Sequence, residues 1–108
     1  MTMTHKPLDG KMAVVTGASR GIGNHIARAL CAAGARVAIT GRHRKTLETA
    51  ARELGPACAP YVCDQRDPKA ISAMAASIMK DMGVPDILVN NAGVFRGGPV
   101  VNMALEDW

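Results

Sequence analysis

The densest chemistry in this 108-residue chain lies in one short stretch, Thr16-Gly17-Ala18-Ser19-Arg20-Gly21-Ile22-Gly23. Its Gly-x-x-x-Gly-x-Gly spacing differs from the commoner Gly-x-Gly-x-x-Gly, but the physical demand is the same. A Cβ at these positions would block the approach of backbone to a phosphate or forbid the turn. The anion that suits such a loop is the pyrophosphate of a dinucleotide, met by unpaired N–H groups and the positive end of the following helix. An ordinary strand-to-helix turn would use the same glycines without a ligand. Charge adds to the case, because Gly10 to Leu47 holds seven Lys or Arg and no acid, a local +7 against −3 for the remainder. That asymmetry alone fits a nucleic acid, a phosphorylated cofactor or no specific partner.

The elements around the loop must hold it between a strand and a helix. Met12 to Thr16 is a continuous apolar run, which predicts a strand buried on both faces, and Asp9-Gly10 supplies the turn before it. Ile22, Ile26, Ala29, Leu30 and Ala33 recur at helical spacing, with Gly34 as the stop. Val37-Ala38-Ile39 predicts a second strand, and Leu47, Ala50, Ala51 and Leu54 a second helix ended by Gly55-Pro56. Tyr61-Val62-Cys63 predicts a third strand. Asp67-Pro68 places a capping carboxylate before a proline at the first helical position, followed by the stripe Ile71, Met74, Ala75, Ile78, Met82 and a stop at Gly83. Ile87-Leu88-Val89 predicts the fourth strand. Regular alternation of strand and helix implies right-handed crossovers and a parallel sheet covered on both faces, so the fold class is α/β, doubly wound. Arg96-Gly97-Gly98-Pro99 reads as a loop, and Ala104 to Trp108 as the first turn of a further helix.

Composition narrows the class. A hydrophobic content of 48% with mixed charge suits one globular core spanning residues 1–108, and aromatics are scarce, with one Phe, one Tyr and one Trp. No apolar run approaches the roughly 20 residues of a membrane span, and Met1-Thr2-Met3-Thr4-His5-Lys6 lacks the apolar core of a signal peptide, so the expectation is a cytoplasmic protein with no membrane partner. Cys31, Cys58 and Cys63 form no Cys-x-x-Cys pair and are expected to be small apolar residues rather than metal ligands or disulfides.

With Thr-Gly-Ala-Ser-Arg-Gly-Ile-Gly in place, the chain resembles the short-chain dehydrogenase/reductase family in its shorter form. A second stretch agrees, since Asn90-Asn91-Ala92-Gly93 stands at the end of the fourth predicted strand, where the family has Asn-Asn-Ala-Gly. The resemblance runs from Leu8 to Trp108. It implies a Rossmann-type sheet of order 3-2-1-4, truncated after the fourth strand. It also implies a nicotinamide dinucleotide held by Gly17, Ser19, Arg20, Gly21, Ile22 and Gly23, with Asn91, Ala92 and Gly93 lining the cleft. Asp64 matches a family aspartate that hydrogen-bonds the adenine amino group; a plain turn residue is the other reading of that position. The two asparagines also suit backbone satisfaction where the strand ends. The complete protein is implied to be a homo-oligomer.

Cofactor choice follows from the end of the second strand. Folds that select NAD usually place an acid there for the ribose 2′-hydroxyl, but this stretch reads Thr40-Gly41-Arg42-His43-Arg44-Lys45. Arg42 would instead meet a 2′-phosphate, and Arg20 matches the basic residue of NADP-preferring relatives. The expected cofactor is therefore NADP. A solvated basic face is the alternative, although cations at a helix start oppose its dipole. Family catalysis relies on a Tyr with a Lys four residues on, a Ser and an Asn. Tyr61 is followed by Gln65 at that spacing, and neither Ser19, Ser72, Ser77 nor Asn102 falls where a catalytic residue belongs. The expectation is thus the NADP-binding amino-terminal portion of an oxidoreductase, with no catalytic residue to name and inactive by itself. The alternative is a non-catalytic dinucleotide-binding module. Nucleic-acid binding ranks last, because the basic residues lack interleaved aromatics.

Overall fold

Seven elements alternate along the chain: β1 (Met12–Thr16), α1 (Gly21–Ala32), β2 (Arg36–Gly41), α2 (Arg44–Leu54), β3 (Cys58–Val62), α3 (Pro68–Met82) and β4 (Ile87–Val89). The computed structural model describes residues 6–91. All strand pairings in it are parallel, as the alternation of elements predicts, and the sheet order is β3-β2-β1-β4, as the family resemblance implies. Order reverses between β1 and β4, so a crevice opens at the carboxyl ends of these two strands.

The continuous apolar character of β1 has a direct cause. Ala13 and Val15 pack with Val37, Ile39, Ala27 and Leu47 on the side covered by α1 and α2, whereas Met12 and Val14 pack with Ala38, Ile71, Met74 and Ile78 beneath α3. Each face of the sheet therefore has its own core, and every residue of β1 is buried. Asp86 ties β4 to the start of β1 by accepting from Met12 N at 3.0 Å and donating its own N–H to the Met12 carbonyl at 2.8 Å.

Helix ends follow local chemistry. Asp67 caps α3 by accepting from Lys69 N at 3.0 Å, with Pro68 at the first position. Gly34, Gly55 and Gly83 stand after α1, α2 and α3 with φ of 101°, 106° and 95°, values that favour glycine.

Two details differ from the sequence reading. The third strand is Cys58–Val62 rather than Tyr61 to Cys63. Pro60 lies in its middle, which the ladder tolerates because β3 is an edge strand whose proline need not donate outward. The stripe of α1 is also rotated. Ile22 is 71% exposed and Ala29 is exposed, while Gly23 and Ala27 are buried and Ile26, Leu30 and Cys31 are half-buried. Gly23 marks the buried line where α1 approaches the loop too closely for a side chain, and Ala27 continues it into the core beside Ala13 and Val15. Cys58 and Cys63 are buried and Cys31 half-buried, all three as free thiols. Among the described residues no helix is long and apolar enough to cross a membrane, and no group of three or more His, Cys, Asp or Glu is placed to hold a metal.

Candidate dinucleotide-binding site

The glycine loop runs from the end of β1 into α1 at the switch point, and its three glycines serve different needs. Gly17 and Gly21 have φ of 63° and 68°, in the left-handed region. Gly23 is helical, and its requirement is space. A Cβ there would stand 2.5 Å from the Gly17 carbonyl oxygen and 2.6 Å from Asn91 Nδ2.

Several bonds fix the loop from outside. Ala18 N donates to the Thr40 carbonyl at 3.2 Å, tying the loop to β2. Asn24 Nδ2 donates to the Ala18 carbonyl at 3.3 Å, and Asn91 Nδ2 to the Gly17 carbonyl at 3.4 Å. Two loop carbonyls thus accept from side-chain amides, which fixes the course of the loop backbone. Arg20 occupies the N-cap of α1 with extended backbone and forms no side-chain cap bond, as expected of a guanidinium, which has no acceptor. First-turn N–H groups without an intrahelical partner are the usual seat of a phosphate.

Thr16 and the asparagines close the crevice. The Thr16 hydroxyl accepts from Asn91 N at 2.8 Å and donates to Asn90 Oδ1 at 3.1 Å. Asn90 therefore joins the ends of β1 and β4, while Asn91 reaches the loop itself. Ala92 and Gly93 lie outside the described residues. Ser19 is half-buried within the loop, and Ile22 presents a large apolar side chain to solvent beside it.

Asp64 lies just beyond β3, on the same carboxyl edge as the loop. Its Oδ1 accepts from Arg66 N and Arg66 Nε, both at 3.0 Å, and its Oδ2 accepts from Arg66 Nη2 at 2.9 Å. These bonds to Arg66, first from its side chain and then its backbone, with a smaller contribution from the charge of Arg42, hold the carboxyl down at about 2. A carboxylate offers about four acceptor positions. With three in use, room remains on Oδ2 for one further donor.

The sequence reading thus named the loop, Asp64 and Asn91, and the fold brings the loop and Asn91 into contact. It missed Thr16, Asn24 and Arg66. Each acts by holding another group, and neither spacing nor composition marks such a role; only the Asp64-Gln65-Arg66 proximity offered a hint.

These features define a dinucleotide fold, and comparison with known proteins gives its family. A family model described as short chain dehydrogenase matches residues 11–108, and the chain belongs to that family. It is 48% identical over 90 residues to human dehydrogenase/reductase SDR family member 1, covering 80% of this chain and 29% of that protein. It is 41% identical over 104 residues to D-threitol dehydrogenase of Mycolicibacterium smegmatis, covering 94% of this chain and 40% of the relative. Among solved structures, L-sorbose reductase from Gluconobacter frateurii, complexed with NADPH and L-sorbose, superposes with a TM-score of 0.78 at 34% identity, covering 97% of this chain and 41% of that one. The chain spans less than half the length of these relatives.

Proposed function

We propose that this chain binds NADP(H) at the carboxyl edge of the sheet and forms the cofactor-binding part of an oxidoreductase that moves hydride between the nicotinamide and a carbonyl or alcohol. In this reading the α1 N-terminus and the loop residues Gly17 to Gly23 hold the pyrophosphate. Asp64 accepts from the adenine amino group, Ile22 covers an apolar face of the cofactor, and Asn91 with Ala92 and Gly93 borders the cleft. The cofactor supplies the hydride chemistry when bound. The chain's own residues bind and orient it.

The observation that carries the reading is the state of the charges at the end of β2. No acid stands between Thr40 and Lys45. Among the described residues, neither the Arg20 nor the Arg42 side chain makes a hydrogen bond or an ion pair, Arg42 acting on Asp64 only through its charge, so both guanidinium groups are available to a 2′-phosphate. The L-sorbose reductase solved with NADPH supports the same choice. Charge-assisted hydrogen bonds contribute about 1.5–3 kcal/mol each, so two arginines amount to a preference of roughly 100-fold or more for NADP over NAD.

Calorimetric titration with both cofactors tests this. NADP should bind about 100-fold more tightly, and Arg20→Ala or Arg42→Ala should each remove about ten-fold of that preference while leaving NAD binding alone. Equal affinities in the wild type, or an unchanged preference in both variants, would overturn the assignment. The 108 residues contain no Tyr-x-x-x-Lys pair, and the chain by itself is proposed to bind cofactor without turning over a carbonyl or alcohol.

A further inference from the structure

The cations of the described residues differ in what already occupies them. Arg44 pairs with Glu48 at 3.7 Å, Arg66 is bound to Asp64, Arg36 Nη2 donates to the Met82 carbonyl at 2.9 Å, and Arg52 Nη2 donates to Thr49 Oγ1 at 3.4 Å. Among the described residues Lys45 has no hydrogen bond or ion pair from its side chain, and it shares that condition with Arg20 and Arg42.

Position distinguishes Lys45 from the other cations of its basic run. An open groove of about 780 Å³ separates the start of α1 from α2. Ser19, Arg20 and Asn24 line it on the loop side, and Lys45 and Thr46 line it on the α2 side. Neither Arg42 nor Arg44 is among the lining residues. The groove also contains Glu48 and Glu53, but Glu48 is engaged by Arg44 and Glu53 lies eight residues further on, about 12 Å along the helix axis at 1.5 Å per residue. The loop end of the groove is therefore cationic and rich in hydroxyl groups.

The start of α2 is itself short of a negative partner. His43 at its N-cap gives no side-chain cap bond, and no acid occupies its first turn. Cations there face the positive end of the helix dipole, which an anion would offset. Thr49 Oγ1 donates to the Lys45 carbonyl at 2.9 Å, which holds the backbone of that turn while the exposed Lys45 side chain stays free to swing. A lysine on such a stem serves a phosphate as a mobile point charge rather than as a planar fork.

We infer that Lys45, with the Thr46 hydroxyl beside it, is a specificity-determining ligand of the cofactor's 2′-phosphate, closing on it from α2 across the groove from Arg20. This assignment rests on the NADP reading above and adds to it a residue from a different element. Arg20 reaches the phosphate from the loop and Lys45 from the helix across the groove, while Arg42 stands outside the groove lining, at the end of β2.

Adenosine 2′,5′-bisphosphate and 5′-AMP differ by the 2′-phosphate alone, so calorimetric titration of the 108-residue protein with both isolates this contact. Lys45→Ala should weaken the bisphosphate about ten-fold and leave AMP within about two-fold, and Lys45→Arg should restore most of the loss. The melting temperature of Lys45→Ala should match the wild type, because the side chain is exposed and bonds to nothing. If the wild type prefers the bisphosphate but Lys45→Ala weakens neither ligand, or both equally, the role of Lys45 is overturned and the NADP reading stands. If the wild type binds the two ligands equally, or binds neither, the NADP reading fails and this assignment falls with it.

Discussion

Gly23→Ala separates a packing requirement from a helix-propensity effect, because the two make opposite predictions. In an ordinary helix interior the change stabilises by about 1 kcal/mol. Here the new Cβ would lie 2.5 Å from the Gly17 carbonyl oxygen, 2.6 Å from Asn91 Nδ2 and 3.1 Å from Ala18 Cα, where ordinary contact begins at 3.4 Å. The Asn91 amide can swing aside. The Gly17 carbonyl is backbone, and its neighbour Ala18 is tied to the Thr40 carbonyl at 3.2 Å, so the loop must move as a unit by nearly an ångström. Overpacking of a fixed backbone costs about 3 kcal/mol at the upper end of its range, which leaves about 2 kcal/mol of net destabilisation after the propensity gain. At roughly 4–8 °C per kcal/mol for a domain near this size, the melting temperature should fall by about 8–16 °C. Displacing the loop N–H groups should also weaken NADP at least ten-fold, by roughly the contribution of one charge-assisted bond. Thermal denaturation followed by circular dichroism, with calorimetric titration of NADP, gives both readouts. A variant that melts higher than the wild type and binds NADP unchanged would refute the packing argument.

The two buried threonines, Thr16 and Thr40, face each other in register on β1 and β2 and should respond oppositely to valine. The Thr40 hydroxyl is buried with no hydrogen-bond partner, so Thr40→Val should stabilise by about 1 kcal/mol, whereas Thr16→Val strands the Asn91 N–H and should cost about 1–3 kcal/mol; urea denaturation of both variants checks this. Asp64, held at about 2 by Arg66, has a folded pKa below its unfolded one, so its contribution to stability is complete above about pH 4 and is lost as pH falls through about 2. Arg66→Gln should return the Asp64 carboxyl toward the ordinary carboxylate range, which a carbon-detected NMR titration reads directly; a carboxyl still titrating near 2 in the variant would rule out Arg66 as the cause. Burial, with a smaller contribution from Cys31, pushes the Cys58 thiol up to about 12. The native protein at pH 8 should therefore resist alkylation at Cys58, as judged by mass spectrometry with iodoacetamide, and become reactive there on unfolding.

Much of the fold was legible because its signals are local. The continuous run at β1, the proline and aspartate at the start of α3 and the glycines that stop the three helices each act within a few residues. Where sequence and structure part, a distant contact decides the matter. Tyr61 to Cys63 reads as the strand from its own residues, but the strand is Cys58–Val62, and the position of β3 at the sheet edge makes Pro60 acceptable within it. Ile22 looks like a core residue by spacing, but α1 meets its own loop at Gly23 and the sheet core at Ala27, which turns Ile22 out.

The sequence by itself determined that a glycine loop joins a buried strand to a helix, that strands and helices alternate into a parallel sheet, and that no acid lies between Thr40 and Lys45 at the end of the second strand. Such features are written in residue type and short spacing. The tertiary structure alone decided which amides hold the loop carbonyls, why Gly23 admits no side chain, and which cations remain unpaired. These depend on Asn91 arriving beside Gly17 from the far end of the described chain and on α2 lying across a groove from Arg20. Contacts between residues so remote in sequence follow from sheet order and helix packing, which residue spacing does not encode.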